Sequence, residues 1–172
     1  MMPEGDKRPQ RTVLAVESLK YFTFAELRFS SLEDVSQVAG ILAAMCPDPE
    51  TASTGLIELL LNAVEHGNLG ISYDEKKQLM YEDNWETELR RRLALPEYKE
   101  RFGTVTFERK SGVLEFRITD QGNGFDWAEY LELNPERSLD PNGRGIAMAR
   151  RYSFSTLEYQ GAGNVVTATI AL

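Results

Sequence analysis

The segment ELLLNAVEHGN, Glu58 to Asn68, carries four side chains that could do chemistry on one side of a helix. At about 100° per residue, Glu58, Asn62, Glu65 and His66 fall within a single arc, while Leu59, Leu60, Leu61, Ala63 and Val64 surround the rest. A helix apolar on nearly every other side is buried. Buried charges are costly unless paired, metal-bound or facing water. The arc therefore either lines a polar cavity or faces bulk solvent as the outer side of an ordinary amphipathic helix, and this segment alone does not separate the two.

Two glycine-rich loops carry further chemistry. TDQGNGFDW places Asp120 just ahead of Gly122 and Gly124. Glycines there let backbone approach a flat ligand, and a carboxylate at a strand end can accept from an exocyclic amine such as that of adenine. NGRGIAMA puts Gly143 and Gly145 immediately before a helix, whose first N–H groups favour phosphate. Arg144, between those glycines, can pair a guanidinium with phosphate oxygens. Taken singly, each loop also reads as a simple turn.

Composition narrows the classes. The 172 residues suit one domain with a sizeable core, and 42% hydrophobic content is ordinary for a globular chain. A net charge of −8 with no basic stripe argues against direct binding of nucleic acid. The single cysteine, Cys46, excludes an internal disulfide and a multi-cysteine metal site, and it reads as a small buried apolar side chain near a helix end. There is no apolar run of membrane-span length and no signal-peptide segment at the start, so the expected location is the cytoplasm.

The elements that must position these residues follow from pattern. Residues 1–11 read as a disordered tail, and residues 12–172 as a single domain. Thr12 to Val16 and Phe22 to Phe29 read as strands. Ser31 with Asp34 forms a capping box for a helix from about Leu32 to Met45, and Asp48 before Pro49 opens the helix of the polar arc, which should end at Gly67 or shortly after. A charged insert at about 72–101 has Leu79, Trp85, Leu89 and Leu93 at near-helical spacing, closed by Pro96. Thr104–Arg109 and Val113–Thr119 flank Lys110-Ser111-Gly112 as a hairpin. Ile146–Tyr152 reads as a helix, and Phe154–Tyr159 with Val165–Leu172 as a last hairpin. The sum is an α+β two-layer sandwich with a mixed, mostly antiparallel sheet and helices on one face.

The order E-x-x-x-N on a helix, D-x-G-x-G after a strand, G-x-G opening a helix and a terminal hairpin resembles the Bergerat-fold (GHKL) ATP-binding superfamily of gyrases, histidine kinases and anti-sigma-factor serine kinases. Asn62, Ala63, His66 and Gly67 match the N-A-x-x-H-G form of the anti-sigma-factor kinase branch. The resemblance covers about residues 20–172, interrupted between Ile71 and Gly103. It implies ATP and Mg²⁺ as cofactors, with Glu58 as the catalytic base and Asn62 as the metal and nucleotide ligand. It further implies that Asp120 receives the adenine amine, that Gly122 and Gly124 shape its pocket, and that Gly143, Arg144 and Gly145 close over the phosphates. Phe125 to Asn142 becomes the ATP lid.

Several positions depart from the family or stand apart from its chemistry. The threonine usual near adenine in the last motif is missing, so that its role is absent here, passes to Thr167 or falls to Asn164. The insert is longer than compact kinases carry and reads as a helical flap over the sheet edge, with a partner-docking surface as the alternative. His66 reads as a structural cap, Glu65 as a solvated residue without chemistry, and Arg90-Arg91-Arg92 as a solvated helix face.

The implied function is an ATP-dependent protein serine/threonine kinase of the anti-sigma-factor type. Its phosphoacceptor would be a small anti-anti-sigma protein and its competing partner a sigma factor or another regulator, with homodimerisation expected by resemblance. The alternatives are a non-catalytic module in which ATP gates partner binding, and a histidine-kinase-like catalytic subunit acting on a separate protein. The second normally works with a phosphoacceptor histidine, and the only histidine of this sequence is His66, inside the candidate site.

Overall fold

The computed structural model describes residues 18–132 and 140–172. The expected tail, the strand at Thr12–Val16 and the middle of the lid, 133–139, lie outside the described residues. Five strands form one antiparallel sheet: β1 (Phe24–Phe29), β2 (Gly103–Lys110), β3 (Val113–Thr119), β4 (Thr156–Gln160) and β5 (Val165–Ala171). Their order is β1-β2-β3-β5-β4, with every neighbouring pair antiparallel. Among the described residues every pairing is antiparallel, in keeping with the mostly antiparallel sheet expected. β1 begins two residues later than its pattern suggests, because Phe22 N–H closes a short 3₁₀ turn on the Leu19 carbonyl.

Alternation along these strands decides which face is buried. Val105 and Phe107 of β2, Leu114, Phe116 and Ile118 of β3, and Val166 and Ala168 of β5 are buried. They pack with two helices, α1 (Leu32–Ala43) and α2 (Pro49–Asn62), through Leu42, Leu56, Leu59 and Leu60. The caps expected from sequence are in place. Ser31 Oγ accepts from Asp34 N–H at 3.1 Å while Asp34 Oδ2 accepts from Ser31 N–H at 3.1 Å. Asp48 accepts from Thr51 N–H at 3.2 Å, with Pro49 in the first helical turn. Cys46 is buried, its thiol directed at the Leu42 carbonyl and its pKa pushed up to about 12 by burial.

Two helices change their winding at the site. α2 gives way after Asn62 to a π-helical turn, Ala63–Asn68, and α5 (Gly145–Met148) continues into another, Ala149–Ser153. The insert is not one helix but two, α3 (Tyr73–Tyr81) and α4 (Trp85–Leu93), because Asp83 adopts a positive φ of 52° between them. Leu89 is the buried anchor of α4. Among the described residues no helix is long and apolar enough to cross a membrane.

One contact sets how closely β1 and β2 can pack. Gly103 lies opposite Phe29 in the register, and a Cβ at Gly103 would collide with the buried Phe29 ring. Gly103→Ala should destabilise the fold by about 1–3 kcal/mol, the usual cost of overpacking, seen as a lower urea midpoint at unchanged slope. Phe29→Leu in the same chain should recover part of that loss.

Candidate functional site

A cavity of about 900 Å³ opens between α2, the insert and the loop before α5. Glu58 and Asn62 line it from α2, Tyr73, Lys76 and Trp85 from the insert, and Gly143, Arg144 and Gly145 from the loop. His66 and the near end of the lid, at Phe125 and Tyr130, complete the wall. Glu58, Asn62, Gly143, Arg144 and Gly145, separated in sequence, therefore share one volume. Three of the four residues of the polar arc, Glu58, Asn62 and His66, line this cavity.

Asp120 and Gly124 line a second, much smaller volume of about 10 Å³. Leu59, Ile118, Asn164 and Val166 form much of its wall. Asn62 and Phe125 line both volumes and so form the partition between them. Phe125 meets Tyr159 edge-on at 5.4 Å, and Trp127 stacks on Tyr159 at 5.8 Å and 16°. The Phe125 and Tyr159 rings thus line the small volume together with Asp120.

The glycines of the two motifs serve close packing as much as ligand approach. A Cβ at Gly67 would collide with the Asp120 carboxylate, and one at Gly122 would collide with the Gly67 carbonyl. Asn68, buried in the same turn, accepts from Gln121 N–H through Oδ1 at 2.9 Å. The end of the asparagine helix and the D-x-G-x-G turn are therefore interlocked. Gly122 lines neither volume, whereas Gly124, at φ 80°, packs under the Ala162 carbonyl. Gly145 leaves room for a Glu58 carboxylate oxygen, and Gly143, at φ 86°, leaves room for the Tyr73 ring.

Several expectations are corrected here. Glu65 is not solvated: it is 0% exposed, receives Lys76 Nζ at 2.5 Å on one oxygen and the Trp85 indole N–H on the other. A straight α-helical wheel puts it on the cavity arc, but the wider π-helical turn begins just before it. The insert contributes cavity wall through Tyr73, Lys76 and Trp85. Its α3 also holds the far end of the lid: Tyr73 Oη donates to Asp140 Oδ2 at 2.7 Å, and Asn142 Nδ2 donates to the Tyr73 carbonyl at 3.0 Å. Arg90 and Arg91 are solvent-exposed, but Arg92 is folded inward and donates to the Leu69 carbonyl at 3.0 Å. Thr167 alternates with inward-facing Val166 and Ala168 and accepts from Gln160 Nε2 at 3.2 Å, so it lies on the outer face; Asn164 and Val166 line the small volume instead.

Burial sets the electrostatics. The Glu58 carboxyl is held above its ordinary pKa by desolvation, opposed by the Lys76 ammonium and reinforced by the Glu65 charge. Asp120 is pushed up to about 6 by burial, against the Gly122 N–H that donates to it at 2.8 Å. His66 is pushed down, chiefly by burial. A neutral imidazole fits its place, with Nδ1 2.5 Å from the Ile71 carbonyl across the end of the π-helical turn. That contact matches the capping role expected for it.

The donor set bears on which cofactor could be held. Among the described residues no group of three His, Cys, Asp or Glu side chains is arranged to hold a metal alone. A cation here would need oxygens from its ligand, which is how Mg²⁺ binds with nucleotides. Burial raises the Tyr159 phenol's pKa, and the neighbouring Asn62 carboxamide, which lines the large cavity as well, opposes that shift. The residues fit Mg·ATP: one amide oxygen, a nearby carboxylate and a roomy glycine-edged cavity.

Lys76, Trp85, Phe125 and Tyr159 carry much of this geometry, and the sequence alone singles out none of them as a site residue. Phe125, directly after Gly124, has the clearest signal; Tyr159 has only strand alternation. No curated protein sequence matches the chain. The sequence model of the histidine kinase-like ATPase domain matches residues 30–170. It spans the asparagine helix, both glycine loops and the terminal hairpin, and the chain belongs to the histidine kinase-like ATPase domain family.

Proposed function

We propose that the chain is an ATP-dependent protein serine/threonine kinase of the anti-sigma-factor type, acting on a small anti-anti-sigma partner and competing with a sigma factor or similar regulator. The observation that carries this reading is Glu58. Its carboxylate stands on the cavity wall one helical turn before Asn62, beside Gly145, with a pKa raised by desolvation. A carboxylate whose pKa is moved toward neutrality is a better general base. The match of Asn62, His66 and Gly67 to the N-A-x-x-H-G form supports the branch.

In this reading ATP enters with its base toward Asp120 and its phosphates toward Gly143, Arg144 and Gly145. Asp120 accepts from the adenine amine. Asn62 holds Mg²⁺ by its side-chain oxygen, and the ion supplies charge neutralisation on the phosphates. Glu58 orients the partner's serine or threonine hydroxyl and takes its proton. The hydroxyl oxygen forms the new bond to the terminal phosphorus, the bond from that phosphorus to the bridging oxygen breaks, and ADP leaves with the bonding electrons. Entry of the base requires Phe125 to move, because the partition it forms leaves only about 10 Å³ at Asp120.

Three outcomes test this. Asp120→Ala should weaken ATP and ADP binding strongly in calorimetry, with adenine preferred over guanine in the wild type. The wild-type advantage should shrink as pH falls through about 6, where Asp120 takes up a proton and ceases to be a charged acceptor. Asn62→Ala should weaken nucleotide binding with Mg²⁺ present more than with a chelator present, since only the former uses the amide oxygen; equal losses would make Asn62 a packing residue. Glu58→Gln should keep ATP affinity while single-turnover phosphoryl transfer to the partner falls ~10²- to 10⁴-fold, the usual weight of a general base. Wild-type transfer should also fall as pH drops through the raised Glu58 pKa, since the protonated acid cannot accept the hydroxyl proton. A wild-type chain that binds ATP and partner but never transfers phosphate would mark a non-catalytic, ATP-gated module.

A further inference from the structure

The insert brings a lysine to the inner wall of the cavity. Lys76 on α3 is paired with Glu65, and the two ends of that pair are unequally buried: the carboxylate is 0% exposed and the lysine side chain 14%. Both Glu65 oxygens are occupied, one by Lys76 and the other by the Trp85 indole N–H. The Lys76 ammonium also lies over the Trp85 ring, 5.8 Å from its centroid. Lys76 lines the large cavity with Glu58 and Asn62, while Glu65 does not. The anion is sealed away, and the cation faces the volume.

That asymmetry is what a pair made only for stability would lack. Replacing a buried ion pair by apolar side chains is often neutral or stabilising, so a retained pair with one end toward a cavity calls for a ligand. An ammonium has three N–H donors, and Glu65 engages one. The Lys76 charge is felt at Glu58, whose carboxyl it pulls downward against burial. The other cation that lines the cavity, Arg144, is on an exposed loop. A polyphosphate brought to Glu58 meets Lys76 as the inner cation.

We propose that Lys76 is a phosphate-binding residue of this site, its ammonium fixed to the cavity wall by sealed Glu65 and by Trp85, so that the insert forms part of the nucleotide site. The assignment rests on the reading that the phosphates of ATP occupy this cavity. It gives the 72–101 segment a role in ligand binding, distinct from a flap over the sheet or a docking surface.

The experiment is calorimetry with ATP, ADP and AMP on the wild type, Lys76→Met, Lys76→Arg, Glu65→Gln and the double variant Glu65→Gln/Lys76→Met. Lys76→Met alone leaves Glu65 buried and unpaired and can fail to fold; the double variant removes both charges together. The expected result is a loss of about 10- to 100-fold in ATP affinity for the double variant, the weight of one charge-assisted hydrogen bond. The loss should be smaller for ADP and smallest for AMP. Lys76→Arg should stay within a few-fold of wild type, and Glu65→Gln, which keeps the ammonium and removes an anion, should bind ATP at least as tightly as wild type. In a Trp127→Phe background, ATP should perturb the emission of Trp85, and the double variant should abolish that response. Unchanged ATP affinity in the double variant, equal losses for all three nucleotides, or equal losses in Glu65→Gln and Lys76→Arg would overturn the assignment while leaving nucleotide binding intact. A wild-type chain that binds none of the three would overturn the nucleotide reading itself, and Lys76 with it.

Discussion

Glu65 is wholly removed from water, and a carboxylate in that position must find donors close by or give up its charge. Both of its donors come from the insert, Lys76 from α3 and Trp85 from the start of α4. The segment between the asparagine helix and β2 therefore cannot stand away from the body without leaving a buried charge unpaired. Once it is drawn in, Tyr73 and the Asn142 side chain meet, Asp140 pairs with Lys77 at 2.7 Å, and the end of the lid is held against α3. Arg92 and Arg101 tie the same segment to the Leu69 and Asn68 carbonyls at the close of the π-helical turn. One sealed charge thus organises the cavity wall, the insert and the lid's far end.

The two motifs around it are fitted to each other at the level of single carbon atoms. Gly67 makes space for Asp120, Gly122 makes space for the Gly67 carbonyl, and Asn68 receives the Gln121 N–H. Any side chain at either glycine would push the turn away from the helix end and move Asp120 with it. The same closeness takes water away from Asp120 and raises its pKa, so that its position and its acidity have one cause.

The framework is readable in the sequence where local chemistry decides it. Ser31 and Asp34, Asp48 and Pro49, and the alternating strands of the two hairpins all form elements close to where their patterns put them, because caps and alternation act over a few residues. Motif order leads to the ATPase family, and Glu58, Asn62 and the Gly143–Gly145 loop do share a cavity. What stays hidden depends on distant partners or altered winding. A wheel of constant pitch misplaces Glu65 because it ignores the π-helical turn, and the donors to that carboxylate lie 11 and 20 residues away. Phe125 and Tyr159 meet only when the lid folds back on the last hairpin, an approach that no local pattern announces. Asp83 breaks the insert by a positive φ that a non-glycine residue seldom signals in advance.

The partition of the cavity ties these features into one device. Phe125 and Asn62 line both volumes, and Tyr159, the ring against which Phe125 and Trp127 pack, lines the smaller one. A planar ligand of nucleobase size cannot fit in about 10 Å³, so reaching Asp120 means displacing Phe125 and the start of the lid with it. That displacement begins at one end of the segment whose other end is held by Tyr73 and Lys77 of the insert.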